Sequence, residues 1–237
     1  MMNRGNKMGL GYEDPLTYLP RKPAQEVPKG RTIYDGQRPS DGLYVVILGR
    51  VKIVSASEDG CQTIGRIVCA EGLFGESALL GQTKRSTSAV AIDNVTLMAW
   101  SREEIEQQIE QEPRLGIALS QYLVRQCLAL QDRIESMAIH KTPERVMLAL
   151  VQLAADLGTP QPDGSMQIGS LTHHTIADYV GTSREIVTFQ MNRLRRLGLL
   201  RYSRKHIDIY SLAIQDTLRE QGVNVPQTAA AAQRAFA

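Results

Sequence analysis

LTHHTIADYVGTSREIVTFQMNRLRRLGLL, residues 171–200, is the stretch on which the reading of this chain turns. It divides at a glycine. Over residues 172–180 the apolar side chains Ile176, Ala177 and Val180 recur at helical spacing and line one face. Gly181 can take the left-handed backbone a tight turn needs, and Thr182 or Ser183 offers a side-chain oxygen to cap a second helix. That helix is expected over residues 183–197, with Gly198 as its stop. At about 100° per residue, Val187, Met191 and Leu194 fall on one side, and Glu185, Thr188, Phe189, Asn192 and Arg196 on the other. The first stripe is expected to pack inward. The second is free to enter a groove, with Arg184 at its leading edge. Two short amphipathic helices around a glycine turn make a helix-turn-helix.

Charge agrees with that reading. The chain as a whole carries a formal charge of only +2, yet residues 171–206 hold seven Lys or Arg against two acids, Asp178 and Glu185. A local cation excess is the footprint of a phosphate-facing surface. Arg204 and Lys205 follow the second helix at the tip of what reads as a two-stranded wing, residues 200–203 and 206–210. They are expected to meet the DNA backbone.

Composition bounds the rest. The chain has 237 residues, 43% of them hydrophobic, room for two ordinary domains with packed cores. No apolar run is long enough to cross a bilayer, and the opening MMNRGNKMGLGYEDP lacks the apolar centre of a secretory signal. A cytoplasmic protein with no membrane partner is expected. Cys61, Cys69 and Cys127 form no CxxC pair, and the histidines stand at 140, 173, 174 and 206, so no metal site is expected. No P-loop or nucleophile elbow is present, no residue is assigned a catalytic role, and the chain reads as a non-enzyme.

Outward from the motif, the texture changes along the chain. Residues 1–20 lack periodicity and read as a flexible arm. Residues 21–112 read as a domain of short strands, a small antiparallel β-barrel or sandwich. Its short β-branched runs at 43–48, 51–55, 63–68, 86–92 and 96–100 are punctuated by Gly49-Arg50 and Asp59-Gly60, read as hairpin turns. Ser101 and Glu104 form a capping box for a short helix ending near Gln111. A long helix then occupies residues 113–140. Leu123, Cys127, Leu130, Ile134 and Met137 recur in it at alternating spacings of four and three, a heptad seam without a second copy in the chain. The seam predicts a homodimer joined across a two-fold axis. His140-Lys141-Thr142-Pro143 reads as the hinge, with Thr142 capping the next helix. Residues 141–222 form a winged helix-turn-helix domain, and residues 223–237 a disordered tail. The fold class is therefore α+β.

This order of parts resembles the CRP/FNR family of bacterial transcription regulators, over roughly residues 22–220. Two stretches carry the likeness: EGLFGESALLGQTKRSTSAVA, residues 71–91, is similar to the family's phosphate-binding cassette, and VGTSREIVTFQMNRLRRLGLL, residues 180–200, to its recognition helix. The resemblance implies double-stranded DNA as a partner, with RNA polymerase beyond it. It implies base reading by Arg184 and Glu185, since arginine can donate twice to guanine and glutamate can accept from cytosine. Phe189 stands where cyclic-AMP-binding members carry a second base-reading arginine, and a phenyl ring suits a thymine methyl instead. Thr182, Ser183, Thr188 and Asn192 complete the expected DNA-binding set.

In the cassette, the resemblance implies a ligand held by Glu76 at a ribose hydroxyl and by Arg85 and Ser86 at a phosphate, with Gly75, Ser77 and Gln131 nearby. Cyclic AMP, cyclic GMP or another small effector is the implied ligand. The chain departs from the cyclic-AMP-binding pattern in two ways: Leu130 and Gln131 replace small hydroxyl residues of the long helix, and the cassette is one residue shorter between Glu76 and Arg85. Effector-independent DNA binding therefore stays open, as does a regulatory subunit that senses a cyclic nucleotide but acts on a protein partner.

Overall fold

The computed structural model describes residues 12–36, 42–56, 62–81 and 86–225. The arm before residue 12, the tail after 225, the Asp59-Gly60 turn, Cys61 and Arg85 lie outside the described residues. Among the described residues the contacts form two compact units: residues 13–122, and residues 123–225 together with Tyr12.

The first unit is a two-sheet β-fold. One sheet has the order β1-β8-β3-β6, with β1 Gln25–Val27, β3 Leu43–Leu48, β6 Leu73–Phe74 and β8 Val95–Trp100. The other has the order β2-β7-β4-β5, with β2 Thr32–Tyr34, β4 Val51–Ala56, β5 Gln62–Val68 and β7 Ser88–Ala91. Every pairing in them is antiparallel. Between the sheets lies a core that includes Tyr34, Val46, Val51, Val68, Phe74 and Leu97. The run LYVVIL of β3 is apolar on both faces for a reason. Val46 and Tyr44 meet that core, while Leu43 and Val45 turn to a second cluster with Trp100, Ile105, Leu115 and Leu119. That cluster belongs to α1, Arg102–Gln111, and the start of α2, Arg114–Ile139, which cover the sheet's other side. The Ser101–Glu104 capping box is present in both directions.

Three expectations change here. Gly49-Arg50 is not a hairpin turn, because β3 pairs with β6 and β8 while β4 pairs with β5 and β7. Gly49, at φ +86°, turns the chain from one sheet to the other, with Asn94 so close that a Cβ would clash. Bidentate pairing of Arg50 with Asp93, 2.6 and 3.0 Å, pins the corner. Within the expected arm, residues 15–20 are held in place: Leu16, Tyr18 and Leu19 pack on the helix-covered cluster, and Pro20 O accepts from Trp100 Nε1 at 3.1 Å. Aperiodic sequence hid this, since the segment is held by side chains far along the chain rather than by its own pattern. The chain also changes partners inside α2, between Tyr122 and Leu123, rather than at the break after His140.

The second unit begins in α2. Its α3, Thr142–Leu157, is capped by Lys141 in extended conformation, with Glu144 accepting from the Lys141 backbone N–H at 2.8 Å, so Thr142 is the first helical residue and not the cap. Val146, Leu150, Val151 and Ala154 of α3 are buried. On it pack α4, His173–Val180, α5, Arg184–Arg196, and α6, Ser211–Glu220. A four-stranded antiparallel sheet, β11-β12-β10-β9, joins β9 Thr159–Pro160, β10 Met166–Gly169, β11 Leu200–Tyr202 and β12 His206–Ile209. The tail expectation shifts as well. Val223 is buried, and its N–H returns to Leu218 O at 2.9 Å past Gly222 at φ +77°, so the chain stays packed through a glycine-ended helix stop.

Asp163 ties the base of this sheet. Its carboxylate accepts from the Ser165 hydroxyl at 2.7 Å, the Ser165 N–H at 3.1 Å and Tyr210 Oη at 3.0 Å, and it pairs with Arg201. The Ser165 hydroxyl and N–H, then Tyr210 and Arg201, hold its pKa far below the usual carboxylate value.

Two outcomes are expected. Leu194→Ala, which empties a site that is 3% exposed, should lower stability by about 2–5 kcal/mol in denaturant unfolding. A folded-state carboxyl pKa below the unfolded value of about 3.9 contributes stability that is complete above that value and fades as pH falls. Asp163→Asn should therefore lower the melting temperature at pH 7, with the deficit shrinking as pH drops below about 4. A deficit independent of pH would show that the contacts, not the charge, matter.

Candidate nucleic-acid interface

The helix-turn-helix is built as its sequence pattern requires. Thr172 caps α4 by accepting from the Thr175 N–H at 3.0 Å, Gly181 takes φ +73°, and Ser183 caps α5 by accepting from the Ile186 N–H at 3.4 Å. Val187, Met191 and Leu194 are buried, as the periodicity demands, and Gln190 joins them. On the opposite side Arg184, Glu185 and Arg196 are exposed, and Phe189 keeps 63% of its surface open. Glu185 sits in the first turn of α5, where its own backbone N–H and the Ser183 hydroxyl lower its pKa. It is a carboxylate at neutral pH and can only accept.

Thr188 and Asn192, placed on the outer face by helical spacing, are half-buried and already bonded. The Thr188 hydroxyl donates to Arg184 O at 2.8 Å, and its oxygen lies 2.9 Å from His173 Nδ1. With its one proton used, the hydroxyl accepts from the imidazole. Burial, then the charge of Arg184, lowers the His173 pKa and keeps the ring neutral. Asn192 Oδ1 accepts from Tyr202 Oη at 2.9 Å, while the Arg195 guanidinium lies 5.3 Å over the Tyr202 ring and His173 meets that ring edge-on. Tyr202 belongs to β11, so these contacts fix the wing against α5. Arg204 and Lys205 stand exposed between β11 and β12. Thr182 is half-buried, its N–H bonded to Ala177 O at 3.1 Å.

Two arginines outside the expected set hold the turn. Arg133 of α2 donates to Tyr179 O at 2.6 Å with its guanidinium 4.8 Å over the Tyr179 ring, and Arg145 of α3 donates to Val180 O and Gly181 O. They satisfy carbonyls that the end of α4 leaves open and place positive charge at its negative pole. Burial, with Arg145 adding to it, lowers the Arg133 pKa. The signal in the sequence is faint: neither arginine belongs to a motif, and the carbonyls they meet lie 35 to 46 residues away.

In the β-fold, Gly75, Glu76 and Ser77 come together at the start of a 3-10 helix, Glu76–Leu80, with Gly75 buried at φ +85°. Ser86 is exposed just before β7, and Gln131 is exposed on α2. Glu76 is paired with Arg66 of β5, Nη2 to Oε1 3.2 Å, a partner the sequence reading did not name. A lone arginine in the apolar run of β5 was the available sign. Of the heptad seam, Leu123 is half-buried and Cys127 exposed, while Leu130 (52%), Ile134 (67%) and Met137 (48%) are exposed apolar side chains.

No helix among the described residues is long and apolar enough to cross a membrane. Residues 24–112 match the cyclic nucleotide-binding domain, and residues 144–213 the Crp-like helix-turn-helix domain. The transcriptional regulator SdrP of Thermus thermophilus is 30% identical over 174 residues, 73% of this chain and 82% of that protein. A CRP-like cAMP-activated global transcriptional regulator of Mycobacterium tuberculosis is 29% identical over 183 residues, 77% of this chain and 81% of that one. The crystal structure of a CRP/FNR-family transcriptional regulator from Thermus thermophilus superposes with a TM-score of 0.67 at 29% identity, over 84% of this chain and 98% of that one. With a β-domain that matches the cyclic nucleotide-binding domain, a Crp-like helix-turn-helix and these relatives, the chain belongs to the CRP/FNR family of DNA-binding transcription regulators and not to a family of enzymes.

Proposed function

We propose that this regulator works in the cytoplasm as a homodimer on an inverted-repeat DNA site. The observation that carries the reading is the outer face of α5, where Arg184, Glu185 and Phe189 stand exposed. Arg184 donates to guanine, Glu185 accepts from cytosine, and Phe189 lies against a thymine methyl. Thr182, Ser183, Thr188 and Asn192 border that face, and Thr188 and Asn192, with their protein partners, act more to set its angle than to read. Arg204 and Lys205 of the wing hold phosphate.

The apolar stripe of Leu123, Cys127, Leu130, Ile134 and Met137 supports pairing of two α2 helices, because its exposed members Leu130, Ile134 and Met137 are costly in water and heptad spacing suits a coiled seam. Two reading helices would then lie about 34 Å apart in successive major grooves.

The cyclic nucleotide-binding domain match and the cAMP-activated relative support a small nucleotide as effector. Gly75, Glu76, Ser77, Arg85, Ser86 and Gln131 are the residues proposed to meet it. Effector control requires that the ligand bind the DNA-competent arrangement better than the other. RNA polymerase is the proposed partner on DNA.

In quantitative binding to a selected site, Arg184→Ala should lose about 1–3 kcal/mol and relax selectivity at one base pair. Lys205→Ala should weaken specific and random DNA alike and reduce the salt slope by about one. Equal losses on both DNAs for Arg184→Ala would remove its reading role. Light scattering should give twice the chain mass, and Ile134→Glu should reduce it to the chain mass. A monomer binding the full site with undiminished affinity would defeat the dimer.

A further inference from the structure

The Arg66 guanidinium reaches three other residues of the β-domain. Its Nη1 donates to Tyr122 Oη at 3.0 Å and its Nη2 to Leu73 O at 3.0 Å, while Tyr122 Oη donates to the same carbonyl at 2.6 Å. These contacts fix it between β6 and α2. Burial opposes its charge, but Tyr122 and Glu76 raise its pKa on balance. The third partner is held differently. Glu76 reaches only Nη2, with its oxygens at 3.2 and 3.4 Å, longer than the roughly 2.7–2.9 Å of a strong charge-assisted bond. Its side chain is 34% exposed against 23% for Arg66. Glu76 also sits at the head of a short 3-10 helix that starts at a left-handed glycine. The anchored member of the pair is Arg66. The exchangeable one is Glu76.

We infer that Arg66 is a specificity-determining residue of the β-domain, holding the Glu76 carboxylate in an internal ion pair that a ligand's hydroxyl donor must displace. A carboxylate accepts from a sugar hydroxyl, but here the guanidinium occupies part of its acceptor capacity before any ligand arrives. The ligands that open the pair are those that supply a hydroxyl donor to Glu76, a nucleoside phosphate being the class already proposed. Arg66 thus sets a threshold of affinity without touching the ligand. This rests on the reading of the β-domain as an effector pocket.

The test is calorimetric titration of cyclic AMP and of cyclic GMP into the full-length wild type, Arg66→Met, Glu76→Gln and the double variant. Arg66→Met should bind at least one of the two nucleotides about fivefold more tightly than wild type, the scale of one partly exposed ion pair released. The gain should vanish in the double variant, since it acts through Glu76. Arg66→Lys, which keeps the charge but loses the planar fork, should tighten binding by less, and it serves as the second variant if Arg66→Met does not melt like wild type. Binding that is unchanged or weaker in a folded Arg66 variant overturns the inference, as does a gain that survives loss of the Glu76 carboxylate. Silence from every protein with both nucleotides is a different result. It overturns the nucleotide reading of the pocket, and the inference with it.

Discussion

Burial of one stripe of α5 is the constraint on which the rest of the molecule depends. Val187, Met191 and Leu194 are each at most 3% exposed, and burying a side chain of this size is worth about 1.5–3 kcal/mol. Turning α5 by a single residue, about 100°, would carry that stripe toward water and press charged side chains of its outer face into the interior, where an unpaired charge is strongly disfavoured. The rotation of the helix is therefore fixed before any DNA is present. What faces outward is what the apolar residues leave over: Arg184, Glu185, Phe189 and Arg196.

Rotation alone does not set the angle at which that face is presented. Two sets of polar contacts do so, and both reach α5 or its turn from other elements. Tyr202 and His173 hold Asn192 and Thr188, so the wing and α4 brace α5 along its flank. Arg133 and Arg145 meanwhile hold the carbonyls at the end of α4, tying the turn to α2 and α3. Since Arg133 stands on the same helix as the exposed seam residues Ile134 and Met137, the proposed dimer contact and one of the clamps on the turn share a helix. A shift in how α2 pairs would have a direct mechanical route to the turn.

The β-domain uses arginine in the same way. Arg66 is fixed by a carbonyl and a phenol and lends its remaining capacity to the Glu76 carboxylate, as Arg133 and Arg145 are fixed on carbonyls around the turn. A planar guanidinium with five donors can join elements that share no periodicity. No spacing in the chain announces such a joint, because its partners are backbone atoms or lie 7 to 56 residues away in these cases.

The sequence by itself determined the periodic features: the two helices around Gly181, the inward stripe of α5, the capping box at Ser101, most of the strands and the heptad spacing on α2. Each follows from a local rule, in which side-chain direction repeats at the period of the element and a glycine or a cap marks its end. Tertiary structure alone decided what depends on distant neighbours. Gly49-Arg50 is a corner between sheets because β3 and β4 find different partners. Residues 15–20 are ordered because α1, α2 and Trp100 offer them a surface. Thr188 and Asn192 are committed inward because His173 and Tyr202 arrive beside them, and Glu76 is paired because β5 brings Arg66 to it. Local pattern specifies which way a residue points along its own element; what waits there is set only when the chain has folded back on itself.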